Sequence, residues 1–199
     1  MERRSIPAQL RARRSEAGNP QIVAYFAMYD TETELWPGEY ESIAPGAFGD
    51  VSARDIRALI NHDTTLVLGR TTVGTLRLES DATGLLGEID INALDTDATN
   101  LYARVERGDV SQCSFGFDIT SCEEEYRADG SRHCRLTGID LYEVSVVTFP
   151  AYEDTIAAAR DAAERHDRHM DAWRRKMIRR LKNESKNYAA AQKTGRKTG

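Results

Sequence analysis

The sequence predicts a β-rich α+β chain: a strand-built body decorated with helices. Three observations predict it. Short β-branched and aromatic runs recur through residues 22–149. One amphipathic helical stretch interrupts them in mid-chain. The regular strand–helix alternation of a parallel doubly wound sheet is missing.

Taken in order, residues 1–20 (MERRSIPAQLRARRSEAGNP) hold five Arg and two Pro and are expected to form a basic, partly extended leader. Residues 22–29 (IVAYFAMY) have strand composition. Residues 31–50 are turn-rich, with Pro37-Gly38 and Pro45-Gly46 as breakers. A short apolar run at 56–60 ends in Asn61-His62-Asp63, and residues 66–68 and 73–78 are further strands. The turn at 80–84 lets 85–91 pair back as a hairpin. Leu94, Ala98, Leu101 and Val105 recur at helical spacing, with Asp95 and Asp97 at the start and Gly108 past the end. Period and caps agree on a helix.

Residues 112–120 alternate strictly. Phe115, Phe117 and Ile119 share one face; Ser114, Gly116, Asp118 and Thr120 share the other. A polar hairpin excursion follows at 121–130. Residues 136–149 carry the most β-branched run of the chain, closed by Pro150. Beyond Glu153 the pattern turns helical. Ile156, Ala159, Ala163, His166, Met170, Trp173 and Met177 form a heptad-like stripe, which predicts a long C-terminal helix of roughly four to six turns. Its end, NYAAAQKTGRKTG, is expected to be disordered. The expected organisation is a leader at 1–20, a body at 21–152 and a basic helical tail at 153–199.

The charge of -5 over 199 residues conceals a division. Residues 160–199 hold 13 Lys+Arg and 5 acids, which leaves 14 Arg and 27 acids for residues 1–159. All five lysines lie in the later segment. An acidic body repels phosphates, which argues against nucleic-acid binding by the body. The basic tail permits phosphate contact, but Trp173 and Tyr188 are its only aromatics for base stacking. No run is long and apolar enough to predict a transmembrane helix, and the N-terminus lacks the apolar stretch of a secretory signal. Three cysteines without such a signal are expected as reduced thiols.

Ser114 is the first candidate for chemistry. A nucleophilic serine needs an accessible hydroxyl, a base and oxyanion donors. Ser114 points away from the phenylalanine face, and Gly116 removes a side chain beside it, which lets a substrate backbone approach. The competing reading is an ordinary half-exposed strand serine. His62, the only histidine among the first 132 residues, sits where an apolar run meets a turn. It is the candidate base, or else a surface or capping residue. Glu143 lies inside the run expected to be most buried, on a face with Leu141, Ser145 and Val147. A buried carboxylate is costly unless paired, and orienting an imidazole would justify it. Alternatively, its strand is an edge and Glu143 faces water. Asp140 is the competing carboxylate.

Cys113, Cys122, His133 and Cys134 lack the paired C-x2-C knuckles of a zinc site, so no metal is expected. Cys113 alternates onto the phenylalanine face as a core residue. His133, His166 and His169 lie in polar stretches and are expected to be solvated. With no phosphate loop and no dinucleotide fingerprint, no cofactor is expected either.

Taken together, these blocks resemble a known family. They are Glu41-Ser42-Ile43-Ala44-Pro45-Gly46-Ala47-Phe48, Asn61-His62-Asp63, Val73-Gly74-Thr75-Leu76, Gly84-Leu85, Ser114-Phe115-Gly116-Phe117 and the run from Leu141 to Ala151. In this order the chain, over roughly residues 20 to 155, resembles the prohead maturation proteases of tailed bacteriophages. The resemblance implies a serine endopeptidase related in fold to herpesvirus assemblins, a small closed β-barrel flanked by helices. It implies His62, Ser114 and, less firmly fixed among relatives, Glu143 as catalytic residues. It further implies cleavage of scaffold, or of the scaffold-like part of the major capsid protein, inside the immature capsid in the host cytoplasm, and cleavage of the protease itself. A homodimer or higher oligomer fits such a fold, and the basic tail resembles segments that direct such proteases into the shell. Cys113 stands where relatives often carry another small or aliphatic residue. The main rival is a non-catalytic capsid-assembly module of the same fold. A second is an unrelated β-barrel module whose basic tail binds nucleic acid.

Overall fold

The computed structural model describes residues 1–7 and 10–149. Eleven strands and one α-helix make up these residues, in two sheets. The first sheet is organised by a long hairpin, β10 (Gln112–Tyr126) and β11 (Arg132–Val147). On the free side of β10 lies β1 (Glu2–Pro7), antiparallel. The other edge of β11 is shared end to end by two parallel strands. β5 (Glu39–Ile43) takes its beginning, from Arg132↔Glu39 to Leu136↔Ile43. β6 (Arg57–Ile60) takes its end, from Glu143↔Arg57 to Val146↔Ile60. β4 (Thr33–Trp36) and β7 (Asp63–Arg70) then pair antiparallel with β5 and β6. The second sheet is antiparallel, in the order β2 (Arg11–Arg14), β3 (Pro20–Met28), β9 (Gly84–Asp90), β8 (Leu76–Ser80).

The apolar alternation of these strands builds one core. Phe26, Phe48, Phe115, Phe117, Ile22, Ile89, Val144 and Val146 are fully buried in it. Each such side chain contributes about 1.5–3 kcal/mol. The Phe115 and Phe117 rings stack at 4.8 Å, and Phe48 meets Phe115 edge-on at 5.9 Å.

The helix α1 (Thr96–Arg107) follows the expected pattern. Asp95 caps it by accepting from the amides of Asp97 and Ala98, and Gly108 closes it at φ 88°. Ala98, Leu101 and Val105 are buried, whereas Leu94 precedes the helix and is exposed.

Several expectations are corrected. Neither sheet closes into a barrel. Because β5 and β6 divide one edge of β11, the first sheet forks instead of curling back onto β1. Flanking helices are reduced, among the described residues, to α1 and a single 3-10 turn at Thr71–Val73. The long C-terminal helix, its heptad stripe and the disordered end all fall outside the described residues. The arginine-rich opening holds two strands, β1 and β2, paired with β10 and β3. The turn-rich stretch contains the β4–β5 hairpin, whereas the polar excursion after Thr120 is the hairpin expected, formed as β10 runs on and pairs back with β11. Cys122 and Cys134, expected as thiols, are joined by a disulfide with Cα atoms 5.9 Å apart; Cys113 is free and buried. His133 is largely buried rather than solvated and bonds Ser42 Oγ at 2.9 Å.

Candidate active site

The turn between β6 and β7 places the imidazole. Ile60 pairs with Asp63, leaving Asn61 and His62 as a two-residue hairpin loop at φ 51° and 60°. Both at positive φ is the combination of a type I′ turn, and Asn and His tolerate it better than most side chains. The turn is fastened to β11. The Asn61 amide donates to Val146 O at 3.0 Å, and Asn61 Oδ1 accepts from the Thr148 amide at 2.8 Å. The His62 amide donates to Ser145 Oγ at 3.3 Å.

β11 supplies the carboxylate. Glu143 is 5% exposed, on a strand interior to the sheet, so the edge-strand reading is overturned. Both its oxygens are engaged. His62 Nδ1 lies 2.6 Å from Oε1, and Ser145 Oγ donates to Oε2 at 2.6 Å. Two such bonds offset much of the cost of burying the charge. A carboxylate can only accept, so Nδ1 carries the hydrogen and the neutral ring has its basic lone pair on Nε2. Nε2 is buried and has no partner among the described residues.

A bulge decides which residues surround Glu143. Gly116 pairs with Glu143 but Phe117 pairs with Leu141, so Tyr142 is the extra residue. Leu141 therefore joins the core beside Phe117 and does not share the Glu143 face, contrary to simple alternation. Gly116 also has a different role from the expected one. A Cβ at Gly116 would stand 2.4 Å from Glu143 Oε1 and 3.2 Å from its Cγ. The missing side chain makes room for the carboxylate.

Ser114 pairs with Ser145, two residues from Gly116, and so lies on the face that carries Glu143 and Ser145. It is fully buried rather than half-exposed. Its Oγ donates to the Arg4 carbonyl of β1 at 2.9 Å rather than to His62. Asp140 is elsewhere: it pairs with Arg54 at 2.6 Å and accepts from the Tyr142 hydroxyl at 3.1 Å, at the surface. The structure thus joins His62 to Glu143, sets Ser114 on their face and leaves Asp140 out. Ser145 was missed as part of this network, although its two-residue spacing from Glu143 is the signal. Asn61 was missed as the residue that fastens the turn, although Asn at a two-residue loop is itself a hairpin sign.

A carboxylate-held imidazole with a strand serine on the same sheet face supplies the residue types of the acyl-transfer hydrolases. The chain belongs to the caudovirus prohead serine protease family, whose model matches residues 7–169. That membership assigns serine protease activity, a role in capsid maturation and a location inside the phage capsid. No curated protein and no solved structure matches the chain. No helix among the described residues is long and apolar enough to cross a membrane.

Proposed function

We propose that the chain is an endopeptidase in which Ser114 is the nucleophile, His62 the general base and Glu143 the carboxylate that orients it. The observation that carries this is the 2.6 Å His62–Glu143 contact, which leaves a buried Nε2, without a partner among the described residues, on the side of the ring away from the carboxylate. In the reaction, Ser114 Oγ forms a bond to the scissile carbonyl carbon as its proton passes to Nε2. The C–N bond then breaks, and His62 returns that proton to the leaving amine. Water, deprotonated by the same nitrogen, releases the acyl group and restores the serine. Glu143 stabilises the imidazolium formed in each half-reaction, and Ser145 holds Glu143.

The substrates in this reading are scaffold, or the scaffold-like part of the major capsid protein, and the protease chain itself. The basic segment 153–199 serves delivery or assembly. Co-expression with the capsid protein tests the assignment. Wild type is expected to shorten capsid or scaffold protein, and Ser114→Ala to leave it whole. Equal processing by both removes Ser114 as nucleophile. No processing by either favours a non-catalytic assembly module.

A further inference from the structure

β1 lies on the outer edge of β10 as an added antiparallel strand, with Ser5 opposite Ser114. That is how extended peptides dock on an open sheet edge. Its register brings one peptide carbonyl, that of Arg4, to 2.9 Å from Ser114 Oγ. The side chain of the same residue is largely buried against the sheet. Arg4 Nε and Nη2 reach the two oxygens of Glu41 at 2.6 and 2.9 Å, a bidentate fork. The guanidinium carbon stands 5.5 Å from the centre of the Phe117 ring. The remaining Nη1 bonds Glu2 and the Arg3 carbonyl, both of β1 itself.

Glu41 is 6% exposed, and Arg4 is its only side-chain partner among the described residues. A carboxylate buried this deeply is strongly destabilising once its cation leaves. Whatever replaces β1 on this edge is therefore selected for a cation at the Arg4 position. The fork geometry and the aromatic face both favour guanidinium over ammonium. The family match begins at residue 7, so Glu41, Ser114 and Phe117 lie within it and Arg4 lies ahead of it.

We infer that the β10 edge covered by β1 is the substrate groove, and that Glu41 with the face of Phe117 is its pocket for an arginine on the residue whose carbonyl Ser114 attacks. β1 is then an internal stand-in for substrate. The inference rests on Ser114 being the nucleophile, and the experiment separates the two. The full chain, as wild type, Ser114→Ala and Glu41→Gln, is co-expressed with its capsid protein, and all new N-termini are mapped by mass spectrometry. Cuts made by wild type and not by Ser114→Ala are expected to follow basic residues, chiefly Arg. Changing the residue before such a cut to Glu in the capsid protein should slow it by about 100-fold, and changing it to Lys by about 10-fold. Glu41→Gln should lower the ratio of cuts after Arg to cuts after uncharged residues by at least about 10-fold. Ser114-dependent wild-type cuts that follow mainly uncharged or acidic residues, or that survive the Glu exchange in the capsid protein, overturn the pocket and leave the nucleophile standing. That exchange leaves the protease unaltered, so its result does not depend on how Glu41→Gln folds. Absence of any Ser114-dependent cut overturns the nucleophile, and the pocket with it.

Discussion

Gly116→Ala puts the site geometry to its sharpest test. The new methyl carbon would stand 2.4 Å from Glu143 Oε1 and 3.1 Å from its carboxyl carbon. Ordinary contact needs about 3.4 Å or more, so the carboxylate must retreat by about 1 Å. Oε1 is 2.6 Å from His62 Nδ1, and a retreat away from the ring takes that bond past hydrogen-bonding distance. The clash is with the far end of a flexible side chain, so the fold absorbs it at a cost of about 1–2 kcal/mol. Chemistry does not absorb it, because an imidazole without its carboxylate loses tautomer and orientation. Losses of about 10²–10⁴ in turnover accompany that change in serine hydrolases. The assay is the rate of capsid-protein processing, with thermal unfolding as the control for folding. Shortening the acid should relieve the contact, so Gly116→Ala/Glu143→Asp is expected to regain part of the lost rate. A folded Gly116→Ala protein within about threefold of wild-type rate would refute the role given to both residues.

The two carboxylates separate in the same assay. Glu143→Gln is expected to lower processing by at least about 100-fold, whereas Asp140→Asn, in a partly exposed pair with Arg54, should stay within about threefold. The reverse order would move the third role to Asp140. Burial pushes the Cys113 thiol well above its ordinary range. The reactive thiolate is therefore unpopulated through mildly alkaline pH, and Cys113 should resist iodoacetamide at pH 8.5 in folded protein and react once the protein is denatured. Rapid labelling of native protein would contradict its place in the core. Asp95→Ala removes the acceptor for two amides of α1 and should cost about 1 kcal/mol, a fall in Tm of about 2–4 °C with processing unchanged.

Local pattern made parts of this architecture legible. Helix α1 was readable because its period, its Asp95 cap and its Gly108 terminator are all written within a few residues of one another. The faces of β10 from Ser114 to Phe117 were readable for the same reason, whereas Ile119, expected with the phenylalanines, is exposed next to a register shift; the cost of a carboxylate in β11 was readable too. The bulge at Tyr142 was not, because an extra residue is defined only by the partner strand, and it moved Leu141 to the other face. The parallel pairing of β5 and β6 on one edge of β11, where the sheet forks, leaves no local trace either. Gly116 was singled out correctly as a place of close approach. What approaches it, a side chain from the next strand, depends on register rather than on neighbours in sequence.

The attachment of the His62 turn to the end of β11 also has a consequence in time. The imidazole and its carboxylate are 81 positions apart, and Ser114 lies between them. Synthesis from the N-terminus delivers the three residues of the proposed triad in the order His62, Ser114, Glu143. Their contact requires closure of a long loop, a slow and entropically unfavourable step in folding. A chain stopped short of residue 143 carries Ser114 and His62 but cannot form the pair. The His62–Glu143 pair therefore belongs only to chains whose β10–β11 hairpin has been made and paired with β6.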